Sequence, residues 1–203
     1  QLQVTSPSAQ LVTDIFGSKL NNMAEWKNWS GKLSAEPQRI VQVGTVDAIR
    51  SELFAARDGG WSVRTAGTAH SHYPLLPTNG VILDTRPLSG LVSVDAEAMT
   101  ATFRAGTKIH ACGRPLLEHG LGLLNQGDID QQSVGGAIAT GTHGTGVELG
   151  SFSSAVTELS VLLVDGSVVT CNPDCEPDLF EAARLSLGAV GVVLEVTLQV
   201  REA

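Results

Sequence analysis

The segment GTAHSH, residues 67–72, combines two histidines with small side chains directly after a predicted β-strand. Small residues allow consecutive backbone N–H groups to converge on an anion such as a phosphate. The glycine spacing does not fit the dinucleotide-binding fingerprint, and the Gly-Lys-Ser/Thr of a Walker loop is missing. Taken alone, the segment is better explained as a strand-to-loop turn that carries an exposed histidine.

A second candidate region is the glycine-rich stretch GDIDQQSVGGAIATGTHGTG, residues 127–146. Hydroxyl groups and backbone N–H groups there could orient a flat heteroaromatic ligand that carries carbonyl groups. His143 stands beside a glycine and has little room to be a packed core residue. The alternative is a stiff turn region that packs against strands. Four hydroxyl side chains lie among the glycines: Ser133, Thr140, Thr142 and Thr145.

A third stretch, LGAVGVVLEV at residues 187–196, places two glycines just before an apolar β-strand pattern. Such glycines would let the backbone approach a ligand closely. A helix end followed by a core strand explains the same pattern equally well. On its own, this stretch leaves its role open.

Helices and strands must bring these segments together, and the periodicity predicts both kinds of element. Residues 39–68 predict strand, helix and strand within the length of a βαβ unit. We therefore expect an α+β fold with an N-terminal segment (1–35) that could hold a short helix, a small βαβ part (36–90), and a larger sheet part flanked by helices (91–203). The predicted strands are 39–45, 61–68, 81–85 and a final long strand, the hairpins are 91–107 and 155–171, and the helices are 46–60, 109–120, a short one through 136–140, and one from 177 or 178.

The chain of 203 residues is acidic, with 13 Lys and Arg against 21 Asp and Glu and a net charge of −8. Nucleic-acid binding needs clustered cations, so no nucleic-acid partner is expected. Backbone N–H groups can still hold a pyrophosphate without an excess of basic side chains. No stretch approaches the roughly 18–20 apolar residues of a membrane helix, so we expect no membrane span.

The three cysteines, Cys112, Cys171 and Cys175, give no disulfide framework because their number is small and odd. Cys171 and Cys175 lie in a turn rich in Pro and Asp with no histidine nearby, which predicts a surface loop and no metal site. No secretory signal opens the sequence. Together these features favour a reducing compartment, and hence a cytoplasmic location.

Four segments, taken together and in this order, resemble a known family: NWSG (28–31), AGTAHS (66–71), the glycine-rich stretch (127–146) and LGAVGVV (187–193). The chain resembles the PCMH-type FAD-binding domain of vanillyl-alcohol-oxidase-type flavoenzymes. Within that group it is most similar to the aldonolactone oxidases, of the L-gulonolactone and D-arabinonolactone types, and to the alditol oxidases. The resemblance implies the fold of that domain and a bound FAD.

The resemblance also implies roles for the matching positions. The loop of residues 65–71 would wrap the FAD pyrophosphate, and His70 would carry the flavin covalently through its 8α-methyl carbon. The glycine-rich stretch would lie along the pyrophosphate and the isoalloxazine, and Val192 would make a backbone contact. The implied cofactor-binding residues are Thr65, Ala66, Gly67, Thr68, Ala69, His70, Ser71, Asp128, Ser133, Gly136, Ala137, Ile138, Ala139, Thr142, His143, Gly144 and Val192.

The sequence departs from the family pattern at two positions of this loop. Ala69 stands where the family has a glycine before the linking histidine, and alanine at a position that needs positive φ would cost about 1 kcal/mol. His72 adds a second histidine two residues after His70. The position in the motif favours His70 as the attachment site.

The family's second, C-terminal domain, which covers the flavin and recognises the substrate, has no counterpart in this sequence. We therefore expect the FAD-binding portion of an enzyme: a truncation, one chain of a nicked enzyme, or a subunit whose partner chain carries the substrate domain. The catalytic base would lie in the absent part, so none is assigned here.

By resemblance, the enzyme would oxidise a CH–OH group of a sugar-1,4-lactone or polyol and pass the electrons from the flavin to oxygen or another acceptor. Three alternatives stay open. The first is an FAD-dependent dehydrogenase for another substrate class, the second a flavin-binding module without turnover, and the third a glycine-rich α+β domain without a cofactor.

Overall fold

The computed structural model describes residues 25–203. The short helix that the sequence predicts near the N-terminus lies outside the described residues. Within them, two main sheets carry the fold, and a small hairpin precedes both. The hairpin consists of β1 (Trp26–Lys27) and β2 (Ser34–Ala35), which pair antiparallel.

The first main sheet is parallel and has three strands in the order β3-β5-β4. The predicted strand-helix-strand unit is confirmed, but its two strands do not touch, because β5 lies between them. All four residues of β5 are buried, and its apolar sequence fits a central strand that is covered on both faces. The elements are β3 (Arg39–Gln42), α1 (Val46–Asp58), β4 (Val63–Ala66) and β5 (Val81–Asp84).

Helix α1 has clear start and stop signals. The side chain of Thr45 accepts a hydrogen bond from the N–H of Ala48 at 3.2 Å, which caps the first turn. At the other end, the N–H of Gly59 bonds to the carbonyl of Ala55 at 3.0 Å. Gly60 then takes a φ of +68°, a conformation that suits glycine and ends the helix.

The second main sheet is antiparallel, with the order β10-β9-β11-β7-β6, and β8 pairs with the last residues of β11. Buried and half-buried residues alternate along β11, as expected for a strand with one face on the core. The predicted hairpin turn at Asp165-Gly166 is confirmed between β9 and β10. The strands are β6 (Leu91–Asp95), β7 (Thr100–Arg104), β8 (Leu121–Leu123), β9 (Val156–Leu162), β10 (Val168–Cys171) and β11 (Val192–Glu202).

Three helices complete this part: α2 (Ile109–Leu117), α3 (Val134–Ala139) and α4 (Pro177–Ala183). Helix α3 begins two residues earlier than the sequence predicts. One core cluster joins these helices to the antiparallel sheet, and includes Phe103 and Leu116. Another cluster packs Leu83 of the parallel sheet against Leu194 of the antiparallel sheet. This cluster contains residues of both sheets, so it does not separate the chain into two parts. The predicted boundary between the βαβ part and the larger sheet part at residue 90 stays a prediction.

The prediction of a surface loop for the cysteine pair is wrong for one member. Cys171 is the last residue of β10 and is fully buried beneath the sheet, whereas Cys175 is exposed. An apolar strand end buries its thiol as it would any small hydrophobic side chain. Residues 25–203 contain no cluster of three or more His, Cys, Asp or Glu side chains able to hold a metal ion.

None of the helices within residues 25–203 is long and apolar enough to cross a membrane.

Candidate cofactor-binding site

A single cleft gathers most of the residues singled out in the sequence. It lies between the loop that follows β4, the start of α3 and the turn that precedes β11, and encloses about 1090 Å³ of empty space including its mouth. Its lining is made largely of small side chains and backbone. The lining residues predicted from the sequence are Thr65, Gly67, Thr68, Ala69, His70, Ser71, Ser133, Gly136, Ala139 and Val192.

The loop after β4 is held from beneath by the neighbouring strand β5. Both the N–H and the hydroxyl of Thr85 donate to the carbonyl of Ala66, at 2.9 and 3.2 Å. Asp84, the last residue of β5, forms a two-pronged ion pair with Arg86 two residues further on. Burial alone would raise the pKa of Asp84, but the hydrogen bonds and charge of Arg86, with help from Gln42, lower it below its ordinary value.

Backbone strain marks the position before the candidate attachment histidine. Ala69 has a φ of +55°, in the left-handed region that favours glycine. The sequence-based expectation that this position needs positive φ is therefore confirmed. The strain amounts to about 1–2 kcal/mol for a residue with a Cβ.

The two sides of the cleft meet at Gly67 and Ser133. A Cβ placed on Gly67 would lie 2.0 Å from Oγ of Ser133, so only glycine fits there without movement. Ser133 is buried and its Oγ accepts from the N–H of Gly136 at 3.3 Å, capping α3. Ser133 thus caps the start of α3, and Gly67 on the facing loop leaves room for the Ser133 hydroxyl.

His70 is half-buried at the edge of the cleft, and His72 is exposed outside it. The Nδ1 atom of His70 is buried and has no hydrogen-bond partner within the described part of the chain. Burial, followed by the nearby charges of Lys108 and His72, lowers the pKa of His70 below its ordinary value. The lowered pKa favours the neutral form of the imidazole at pH 7.

The remaining predicted site residues lie away from the cleft lining. Three of them, Ala66, Ala137 and Ile138, are buried in the core. Asp128 and His143 are exposed, and Nδ1 of His143 lies 2.9 Å from the carbonyl oxygen of its neighbour Gly144. Thr142 connects to the cleft indirectly, because its hydroxyl accepts from the lining side chain of Gln132 at 2.9 Å.

Several lining residues were not anticipated from the sequence. Leu75 and Leu76 give the cleft an apolar wall, and Arg64 supplies a cationic group at its rim. No glycine or hydroxyl pattern marks these positions, so only the fold reveals them. The other lining residues are Thr85, Ala105, Gln132, Gly135, Thr140, Ser186, Leu187, Gly188, Gly191 and Val193. Of these, Gln132, Gly135 and Thr140 belong to the glycine-rich stretch 127–146, and the 187–193 residues belong to the third motif, but neither motif singles them out as cofactor contacts.

The fold and this cleft define a domain that holds a large, flat, phosphate-bearing cofactor. A sequence model of the family described as FAD binding domain matches residues 37–172, and the chain belongs to that family. The resemblance to the FAD-binding domain of vanillyl-alcohol-oxidase-type flavoenzymes is thereby confirmed, and with it the α+β fold.

Among named relatives, the L-gulono-1,4-lactone dehydrogenase of Mycobacterium tuberculosis is 38% identical over 86% of this chain and 40% of its own length. The L-gulonolactone oxidase of Mus musculus is 33% identical, with the same coverage of both chains. The chain thus spans about two fifths of the length of these relatives.

A solved structure of 6-hydroxy-D-nicotine oxidase from Arthrobacter nicotinovorans superimposes with a TM-score of 0.77 at 21% identity. It covers 89% of this chain, which in turn covers 39% of it. At this identity the likeness shows a shared fold.

The lining of the cleft fits FAD. Hydroxyl groups, backbone from the glycine positions and the cationic Arg64 offer donors to phosphate and to ring carbonyls. The tight approach at Gly67 leaves the backbone exposed where a side chain would otherwise fill the space. The buried Nδ1 atom of His70, which has no hydrogen-bond partner within the described residues, is a polar group that a ligand in the cleft could contact.

Proposed function

We propose that this chain is the FAD-binding part of an oxidoreductase that oxidises a CH–OH group of a sugar-1,4-lactone. The observation that carries the proposal is the glycine-lined cleft in a chain of the FAD binding domain family. The named relatives act on lactones, which favours a lactone over a polyol. One relative is named a dehydrogenase and another an oxidase, so oxygen and other electron acceptors both need testing.

Bound FAD would supply the redox chemistry, by accepting a hydride from the substrate carbon. The residues of this chain hold and orient it. The loop 65–71 and the start of α3 would hold the pyrophosphate through N–H and hydroxyl donors, and Leu75 and Leu76 would give the cofactor an apolar surface. The base that removes the substrate's hydroxyl proton is assigned to the part of the enzyme outside this chain.

We further propose that His70 carries the flavin covalently. A neutral imidazole nitrogen has the lone pair needed to bond to the 8α-methyl carbon, and burial, followed by the nearby charge of Lys108, lowers the pKa of His70 and so favours that neutral form. Forming this C–N bond would break one C–H bond of the 8α-methyl group and the N–H bond of the imidazole, and the two electrons and two protons lost would pass to dioxygen as hydrogen peroxide. We do not propose His72 as the attachment site, because it is exposed and does not line the cleft.

The neighbouring histidines provide a matched pair for the test. The protein is saturated with FAD and precipitated with acid, and the yellow colour of the pellet is measured. We expect acid-stable flavin in the wild type and in His72→Ala, and none in His70→Ala. Colour that always moves to the supernatant would remove the covalent link but keep the FAD site. A protein that binds no FAD would refute the assignment of the cleft.

The substrate class is tested separately. Anaerobic addition of L-gulono-1,4-lactone to the complete enzyme should bleach the flavin absorption, whereas a polyol of similar size should not. Bleaching by the polyol alone would contradict the lactone assignment. Re-oxidation by air, compared with an added dye acceptor, then separates oxidase from dehydrogenase behaviour.

A partner chain and a cellular location are also proposed. The partner chain is a second polypeptide that carries the substrate domain, which co-purification with this chain would test. The location is the cytoplasm, which fractionation of the source cells would test.

A further inference from the structure

The turn between β1 and β2 contacts the loop that carries His70 through two hydrogen bonds, and the residues of the second bond, Asn28 and Ser71, are 43 positions apart in the sequence. The N–H of Trp29 donates to the carbonyl of Ala69 at 3.3 Å. The side-chain amide of Asn28 donates to the carbonyl of Ser71 at 3.2 Å. The two bonds bracket His70 on both sides along the chain.

Asn28 is itself fixed within the turn. Its side chain is buried, and its Oδ1 accepts from the N–H of Leu33 at 3.1 Å and from the hydroxyl of Ser30 at 3.2 Å. The backbone N–H of Gly31 closes the turn by donating to the carbonyl of Asn28 at 3.0 Å. The turn is therefore a rigid support for whatever it holds.

The indole ring of Trp29, in this turn, contacts the imidazole rings of both His70 and His72. The indole stacks on the imidazole of His70 with ring centroids 5.0 Å apart and an angle of 15° between the planes. It meets His72 edge-on at 5.5 Å and 77°. The side chain of Trp29 is still 54% exposed. An indole needed for core packing would be buried, so its main contact is the imidazole face.

We propose that Trp29 is a positioning residue for His70, with its indole fixing the rotation of the imidazole for attachment of the flavin. The inference rests on the proposed covalent link at His70. Rotation about the bond to an imidazole ring is broadly permitted on its own. A planar ring stacked in parallel restricts it, so that the reacting nitrogen meets the cofactor in one orientation.

Substitutions at Trp29 test this role with Trp61 as the matched control. Trp61 is also partly exposed, but its ring packs against Arg39, and the ring contacts within residues 25–203 join Trp29, not Trp61, to the two histidines. FAD is added to protein produced without flavin, and the rise of acid-stable flavin is followed over time. We expect attachment about 3- to 10-fold slower in Trp29→Leu, near the wild-type rate in Trp29→Phe, and unchanged in Trp61→Leu.

A second measurement reads the ring contact without FAD. The carbon-bound protons of the His70 imidazole should be shifted upfield by the indole in wild-type NMR spectra, less so in Trp29→Phe, and not at all in Trp29→Leu. Trp29→Gln serves as a second non-aromatic variant should Trp29→Leu not fold, because Trp29 is 54% exposed and a polar side chain there can reach solvent.

The outcomes separate the positioning role from the covalent link. Slow attachment with loss of the upfield shift in Trp29→Leu or Trp29→Gln, together with near-wild-type attachment and a smaller upfield shift in Trp29→Phe, supports the inference. Wild-type attachment rates in the non-aromatic variants, or unchanged imidazole signals, would overturn it. If the wild type binds FAD but attaches none, the covalent proposal fails and the positioning role for attachment fails with it, while the proton shifts still show whether Trp29 fixes the ring.

Discussion

Gly67 is the position at which one added methyl group should disturb the cleft most. A Cβ there would lie 2.0 Å from Oγ and 2.9 Å from Cβ of Ser133, whereas real Cβ contacts essentially never fall below 3.0 Å. The hydroxyl of Ser133 must therefore rotate away and give up its bond to the N–H of Gly136, or the two sides of the cleft must separate. The backbone of Gly67 is not in the left-handed region, so this clash is the main effect of Gly67→Ala.

Overpacking of this kind typically costs about 1–3 kcal/mol. We expect the free energy of unfolding of Gly67→Ala to fall by that amount. Gly67 and Ser133 both line the cleft, so the affinity for FAD should fall as well. Each 1.4 kcal/mol lost from the binding free energy lowers the affinity by about tenfold. Gly113→Ala is the matched control. Its added Cβ meets nothing within 4 Å, and alanine in a helix should be neutral or stabilising.

A double-mutant cycle isolates the contact. Ser133→Gly removes both atoms that the new Cβ would meet, and glycine at a helix N-cap costs only a few tenths of a kcal/mol relative to serine. Urea denaturation and FAD fluorescence titration of the two single variants and the double variant give the coupling energy. We expect the double variant to be about as stable as Ser133→Gly alone.

Two results would refute the reasoning. Gly67→Ala could match the wild type in stability and FAD affinity, which would mean that the two sides of the cleft separate without cost. Alternatively, the two substitutions could add independently, which would place the damage somewhere other than at the contact with Ser133.

Three further predictions concern titration, strain and thiol chemistry. Because only the neutral imidazole of His70 can react and its pKa is lowered, the attachment rate should rise with pH and reach half its maximum below the ordinary value of about 6.5; a midpoint above that value would contradict it. Ala69→Gly should stabilise the fold modestly, since it removes about 1–2 kcal/mol of strain against about 0.4–1 kcal/mol of added chain entropy; a lower melting temperature would disprove this. A thiol reagent should modify only the exposed Cys175 in the native protein, because Cys112 and Cys171 are buried and burial raises the pKa of the Cys112 thiol to about 12; rapid modification of a second thiol would count against the fold at that point.

The order and type of the elements could be predicted because local signals mark them. The Asp165-Gly166 turn between β-branched runs specifies a hairpin, and the periodicity of residues 46–58 specifies an amphipathic helix. The insertion of β5 between the two strands of the βαβ unit could not be predicted. Strand order depends on which faces are buried together, and a single sequence carries no local signal for it.

The site was predictable through its motifs but not in its detail. Motif positions do not separate residues that face the cleft from those that support it. Helix α3 illustrates this, since Gly136 and Ala139 line the cleft while Ala137 and Ile138 between them face the core. The rotation of a six-residue helix decides the matter. The apolar wall at Leu75 came from a loop whose path the sequence does not encode in any periodic pattern.

Departures from ordinary stable structure converge on His70. The residue before it, Ala69, has a left-handed backbone, the Nδ1 of His70 is buried without a partner within residues 25–203, and a largely exposed indole from Trp29 covers the imidazole. Strained backbone and an unpaired buried nitrogen each lower stability. A turn with no function beyond joining two strands would not need to keep either the strained backbone or the unpaired nitrogen. Their concentration around one imidazole, at the edge of a cleft that fits FAD, is what selection for a reactive and oriented side chain would maintain.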